Sequence, residues 1–175
     1  MTGVKLKIGL YFTGEQGRRH CTFGHKMAFM KPVRTPCIGI CSTTSFGDKI
    51  CRGCKRFSHE VLHWNTYTDN EKRAVQARIN QFTTQIMSNK FRIADTRKLE
   101  QVLQDFRVFY DPDLSPYFWL HQLLQKHLYR LQSLDEIGVS LQPAFQGRDV
   151  RDLLLLINDE LQVLSEAHHE RYFSR

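Results

Sequence analysis

No apolar run in the sequence exceeds five residues, the longest being 153–157. A membrane-spanning helix needs about 18, so a transmembrane helix is excluded. The N-terminus lacks the apolar core of about 7–15 residues and the small-residue cleavage site of a secretory leader. A cytoplasmic location is therefore expected. Also missing are a Gly-rich phosphate loop, a Ser/His/Asp set, paired carboxylates, an internal repeat and a low-complexity tract. Nucleotide binding and triad chemistry thus have no motif to stand on, and no small-molecule substrate is indicated. What is present is ordinary globular composition. Of 175 residues, 41% are hydrophobic and 25% charged, close to the averages for chains that bury a core.

Charge is unevenly placed. Residues 1–36 carry +6, residues 37–90 carry +4 and residues 91–175 carry −3. The basic first half permits an anionic partner, either nucleic acid or an acidic protein. A solvated basic face is the commoner outcome of such a bias.

Cysteine is scarce, with five in the chain, yet four fall within eighteen residues as Cys37-x3-Cys41-x9-Cys51-x2-Cys54. In a reducing compartment such a cluster points to metal ligation rather than disulfides. Thiolates bind soft or borderline metals, and two close pairs supply a tetrahedral all-sulfur set. Cys51-Arg-Gly-Cys54 has the tight-turn spacing that brings two sulfurs to one ion. Cys37-Ile-Gly-Ile-Cys41 is one residue wider but within the range of zinc ligands. The spacing matches neither ferredoxin run and leans to Zn²⁺, with an Fe–S cluster as the alternative. Lys49, Arg52, Lys55 and Arg56 would offset the negative charge of either centre.

Three segments are expected. Residues 1–30 read as a flexible tail or as chain upstream of a later start, since Met27 and Met30 both precede the cysteines. Their alternation at Val4, Leu6, Ile8 and Leu10 is a weak strand signal, and Cys21 stands alone. Residues 31–90 form a four-cysteine module plus a helix. The cysteine segment is loop-rich with little core of its own, so metal binding is expected to supply its folding energy. Ser58 can cap a short helix over 59–64. Thr68 and Glu71 form a capping box ahead of an amphipathic helix over 69–88, with Val75, Ile79, Phe82 and Ile86 inward. Residues 91–175 read as three helices, at 95–110, 116–137 and 149–172. The last two should pair as an antiparallel hairpin through Leu120, Leu124, Leu128, Leu131, Leu134 and Ile137 against Val150, Leu153, Leu154, Ile157, Leu161 and Leu164.

Thr-Pro-Cys37-Ile-Gly-Ile-Cys41, Cys51-Arg-Gly-Cys54-Lys-Arg56, Glu60, Trp64 and Glu71-Lys-Arg73 closely resemble a bacterial family, the YdhL-like predicted Fe–S proteins (domain of unknown function 1289). The resemblance covers about residues 34–78. It implies the same four cysteines as a metal site, accompanied by Arg56, Glu60, Trp64, Glu71 and Arg73. It implies no activity.

His59-Glu-Val-Leu-His63 spells H-E-x-x-H, in which two histidines one turn apart bind zinc and the glutamate activates water. Chance matches to three fixed residues are frequent. No third ligand follows, and among these residues the resemblance includes Glu60 alone. Trp64 is expected against the cysteine module with the histidines exposed. His121 and His127 read as polar-face residues, His168-His169 as a solvated helix end, and Tyr117, Phe118 and Trp119 as core.

The expected fold is mainly α: a small four-cysteine metal knuckle, an amphipathic helix and a helical hairpin or bundle. The expected function is binding. The module would act as an adaptor whose basic surface (Arg52, Lys55, Arg56, Arg73, Arg78) meets a protein or nucleic acid. An Fe–S redox carrier or sensor is the alternative, and a zinc hydrolase using His59, Glu60 and His63 is a remote one.

Overall fold

The computed structural model describes residues 32–173; the tail, its strand signal and Cys21 lie outside them. Among the described residues are six α-helices and one two-stranded antiparallel ribbon. They follow the order α1 (Ser42–Phe46), α2 (Ser58–Leu62), α3 (Asp69–Ser88), β1 (Phe91–Ile93), α4 (Thr96–Asp105), α5 (Pro116–His127), β2 (Val139–Leu141) and α6 (Val150–Phe173). No described helix is long and apolar enough to cross a membrane.

The capping box forms. Glu71 Oε2 accepts from the Thr68 N–H at 2.7 Å, and Thr68 Oγ1 accepts from the Glu71 N–H at 3.4 Å. These bonds to Thr68 hold the Glu71 carboxyl below its usual range. The helix that follows buries Val75, Ile79, Phe82 and Ile86, as their spacing predicts. It is the centre of the molecule, packing against both α5 and α6. A single apolar cluster runs from Trp64 to Leu161 and so crosses residue 90. Each fully buried aliphatic side chain in it contributes about 1.5–3 kcal/mol.

Three expectations about the second half are corrected. The helix beginning at 95 ends at Asp105 rather than 110. Arg107 adopts φ 53°, and the Val108 N–H reaches back to Leu103 O at 2.8 Å. That is a Schellman ending with arginine where glycine is usual, so no sequence signal marked it. The helix beginning at Pro116 ends at His127 rather than at 137. Leu128, Leu131, Leu134 and Ile137 recur every three residues, which on an α-helix winds the stripe backwards by about 60° per step. Two 3₁₀ turns, Leu128–Arg130 and Asp135–Ile137, follow instead; Ile137 is buried, while Leu128, Leu131 and Leu134 are half-buried against the apolar cluster. The span from Gly138 onward is not all loop. β2 pairs with β1 in the register Phe91↔Leu141, Arg92↔Ser140, Ile93↔Val139. The expected hairpin of two long helices is therefore replaced by a 12-residue α5 and a 24-residue α6, the latter close to the expected 149–172, arranged around α3.

Gly138 holds this junction. Its φ is +69°, and a Cβ there would meet Asp95 O at 2.7 Å. Its own carbonyl accepts from the N–H groups of Ala94 and Asp95, at 2.9 and 3.1 Å. Asp95 in turn caps α4, its Oδ1 accepting from the Arg97 and Lys98 N–H groups.

Candidate metal centre

Cys51 and Cys54 lie in a tight hairpin. Ile50 and Phe57 bridge its arms. The Cys51 N–H donates to Arg56 O, the Lys55 N–H to Cys51 O and the Ser58 N–H to Lys49 O, each at 2.8 Å. Lys55 takes the left-handed conformation at φ 59°, which costs a non-glycine residue about 1 kcal/mol. Its ammonium is fixed in return, donating to Gln162 Oε1 on α6 at 3.1 Å and to Arg52 O. The residue is only 5% exposed, and burial pushes its pKa down against the pull of Cys51, Asp159 and other nearby anions.

The hairpin turns amide groups onto sulfur. Burial alone would raise the Cys51 thiol pKa. Backbone N–H groups of Cys54, Ser42 and Gly53, with the Cys54 thiol, outweigh it and bring the pKa down to about 6. Cys51 is therefore poised as a thiolate at neutral pH. The contribution of Ser42 is informative, because Ser42 directly follows Cys41. The same serine's Oγ accepts from the Arg52 N–H at 2.9 Å. Gly53 is where the other loop touches: a Cβ there would meet the Ile38 side chain at 2.8 Å. Cys37 and Cys54 also line one cavity of about 160 Å³, together with the buried His121. The 37–41 and 51–54 loops thus lie against each other. Among the described residues no three Cys, His, Asp or Glu side chains converge tightly enough to hold a metal ion.

Burial pushes the Cys54 thiol pKa up, opposed by Arg56. Arg56 Nε donates to Cys54 Sγ at 3.3 Å, and the guanidinium lies 4.9 Å from the centroid of Trp64. Trp64 is buried against the cysteine hairpin through this arginine, as expected. Glu60 is also structural. Its Oε2 accepts from the Phe57 N–H at 2.8 Å and from Arg78 at 2.6 Å, both within a buried environment. Arg78 lies over the Phe57 ring at 3.8 Å. The H-E-x-x-H carboxylate is committed to these two bonds. The short helix starts at Ser58 itself, with Phe57 at the cap position.

The five expected basic contacts do not share one surface, which corrects the proposed patch. Lys55 and Arg56 are buried, and the Arg78 side chain is only 12% exposed. Arg52 is open at 76% and pairs with Asp48 at 2.9 Å. Arg73 is half-buried and donates to Asn70 Oδ1. Desolvation of three cations is recovered by sulfur, carboxylate, carbonyl and ring acceptors.

The histidines are likewise not all on polar faces. His121 is buried, its Nε2 3.4 Å from Asn158 Oδ1. Burial drops its pKa to about 4, with Asn158 opposing and Lys55 reinforcing. His168 and His169 stack around Phe57 with Phe173. Sequence reasoning missed His121, because it neighbours the stripe residues Leu120 and Leu124 without sharing their four-residue spacing. It also missed Ser42, whose only mark was its place after Cys41.

Residues 35–83 match the family described as a protein of unknown function, DUF1289. The uncharacterized protein YdhL of Escherichia coli strain K12 is 46% identical over 44 residues, which are 25% of this chain and 53% of YdhL. The Shigella flexneri protein of the same description gives the same figures. The chain thus spans about half the length of the curated relatives it matches. No solved structure matches. The segment that holds all four clustered cysteines, with Arg56, Glu60 and Trp64, matches the DUF1289 family model and is similar to part of YdhL.

Proposed function

We propose that Cys37, Cys41, Cys51 and Cys54 hold one metal centre in a binding module, an adaptor that offers the cysteine loops to a macromolecular partner. One observation carries this reading: Ser42, the residue after Cys41, accepts the Arg52 N–H on its Oγ at 2.9 Å and so ties the first cysteine pair to the Cys51–Cys54 turn. Amide donors around a thiolate, with an arginine beside a second sulfur, are the surroundings a four-sulfur metal site requires. Zn²⁺ is the favoured ion on spacing, and its role here is structural. Because Lys55, Arg56 and Arg78 face inward, the contact surface is the outer side of the loops. Ile40 and Phe46 in these loops are 78% and 79% exposed, which favours a protein partner over nucleic acid.

Amide bonds to sulfur also tune the potential of iron–sulfur clusters, so an Fe–S redox centre is the second reading. Elemental analysis and a visible spectrum of anaerobically purified full-length protein separate the two. One colourless zinc per chain supports the adaptor. A brown, stoichiometric and reversibly bleached centre supports redox, and absence of both metals overturns the reading. The partner class is tested by anisotropy with generic RNA and DNA at two salt concentrations. Phosphate contacts would give steeply salt-dependent binding, contrary to the protein-partner assignment.

A further inference from the structure

A cleft of about 550 Å³ separates the cysteine hairpin from α6, a volume typical of small-molecule sites. Its two walls differ in sign. The hairpin supplies Lys49, Arg52 and Lys55, while α6 supplies Asp159, Glu166 and Glu170. Positions 159, 166 and 170 fall on one helix face. Among the described residues, no ion pair crosses the cleft: Arg52 is held by Asp48, and Lys55 donates to Gln162 and to Arg52 O. The Lys55–Gln162 bond does cross, tying the hairpin to α6. Opposed walls of unlike charge fit a ligand that carries both charges itself.

The groups left over set its composition. The lining carries four carboxylates (Asp48, Asp159, Glu166 and Glu170) against three cations (Lys49, Arg52 and Lys55), with Glu166 also accepting from Gln162 Nε2 at 2.9 Å, so the complementary ligand bears an excess of positive charge. We propose that this cleft binds a basic amino acid, free or as the C-terminal residue of a peptide, with its carboxylate on the Lys49–Arg52 wall and its side-chain cation on the Asp159–Glu166–Glu170 wall. None of the contacts is a cysteine, so ligand binding and metal content are measured independently.

The test is calorimetric titration of the full-length protein, as purified with its metal, against L-arginine, L-lysine, L-argininamide and L-glutamate. The peptide Gly-Gly-Arg and its C-terminal amide separate a peptide terminus from the free amino acid. Saturable binding of arginine or Gly-Gly-Arg is expected, about fivefold weaker in the corresponding amide and about fivefold weaker again in Asp159→Asn or Glu170→Gln. Binding should fade with salt, while metal content stays constant in both variants. Glutamate should not bind. Heat signals absent for every ligand, or equal affinity for arginine, argininamide and glutamate, would overturn the proposal.

Discussion

Arg56 reaches the Cys54 sulfur through its side-chain Nε at 3.3 Å while the same guanidinium rests over Trp64. One arginine therefore joins the cysteine hairpin to the edge of the main apolar cluster. A cation beside a buried sulfur favours the thiolate that a metal needs, and the indole holds that cation in place.

Replacing this arginine should weaken the metal site without removing a ligand. Arg56→Ala is expected to lower metal affinity about 10–100-fold, as loss of a supporting contact does in other metal sites. Arg56→Lys should fall between, since a lysine keeps the charge but not the planar stack. Competition with a chromophoric chelator measures both. Unchanged affinity in Arg56→Ala would leave the arginine with a packing role only.

Glu60 and Arg78 form a buried pair at 2.6 Å. Glu60→Gln strands the Arg78 charge and is expected to cost about 3 kcal/mol of folding stability. Urea unfolding reads this directly. A hydrolytic glutamate would show the reverse pattern, near-wild-type stability with a lost activity.

Acid should weaken the fold through His121. Its pKa in the folded state is about 4 against 6.5 for an unperturbed histidine, so below pH 6.5 the unfolded chain binds the extra proton. The stability held above pH 6.5 is therefore lost progressively as pH falls toward 4, by about 3 kcal/mol in total. Asn158, Gln125 and Lys55 surround this site and stay in the comparison. The difference between wild type and His121→Gln should shrink or invert as pH falls from 7.5 to 4.5. Taking that difference cancels the protonation of the cysteines. A difference constant across the range would show that His121 titrates normally.

Gly138→Ala should destabilise by about 2–3 kcal/mol. A Cβ on a left-handed residue would strike the Asp95 carbonyl, which belongs to the backbone and has little freedom to yield. The same urea assay checks it. A cost below about 1 kcal/mol would mean that the β1–β2 junction relaxes freely.

Much of this was legible in the sequence, for identifiable reasons. Thr68 and Glu71 announce α3, and Val75, Ile79, Phe82 and Ile86 keep a helical period throughout. Asp95 and Ser115-Pro116 mark the starts of α4 and α5 in the same way. The errors came where local signals were silent or double. Arg107 ends α4 in a conformation that its residue type does not advertise. Leucines every three residues after 128 predict a helix only if their three-residue period, which a 3₁₀ turn also gives, is overlooked. Three-residue strands such as Phe91–Ile93 are too short to show alternation. At the candidate site, residue type and spacing picked out the cysteines, whereas burial of Lys55, Arg56 and Arg78 depends on acceptors distant in sequence, which composition cannot reveal. The charge bias of residues 37–90 thus overstated the basic surface.

The central claim is that the four clustered cysteines share one metal. Sulfur coordination number, from X-ray absorption at the metal edge on full-length protein, tests it most directly. The account predicts one metal per chain bound by four sulfurs, at about 2.3 Å for zinc, falling to three sulfurs in Cys41→Ser. A shell containing nitrogen or oxygen in the wild type, or four sulfurs retained when Cys41 is replaced, would contradict it.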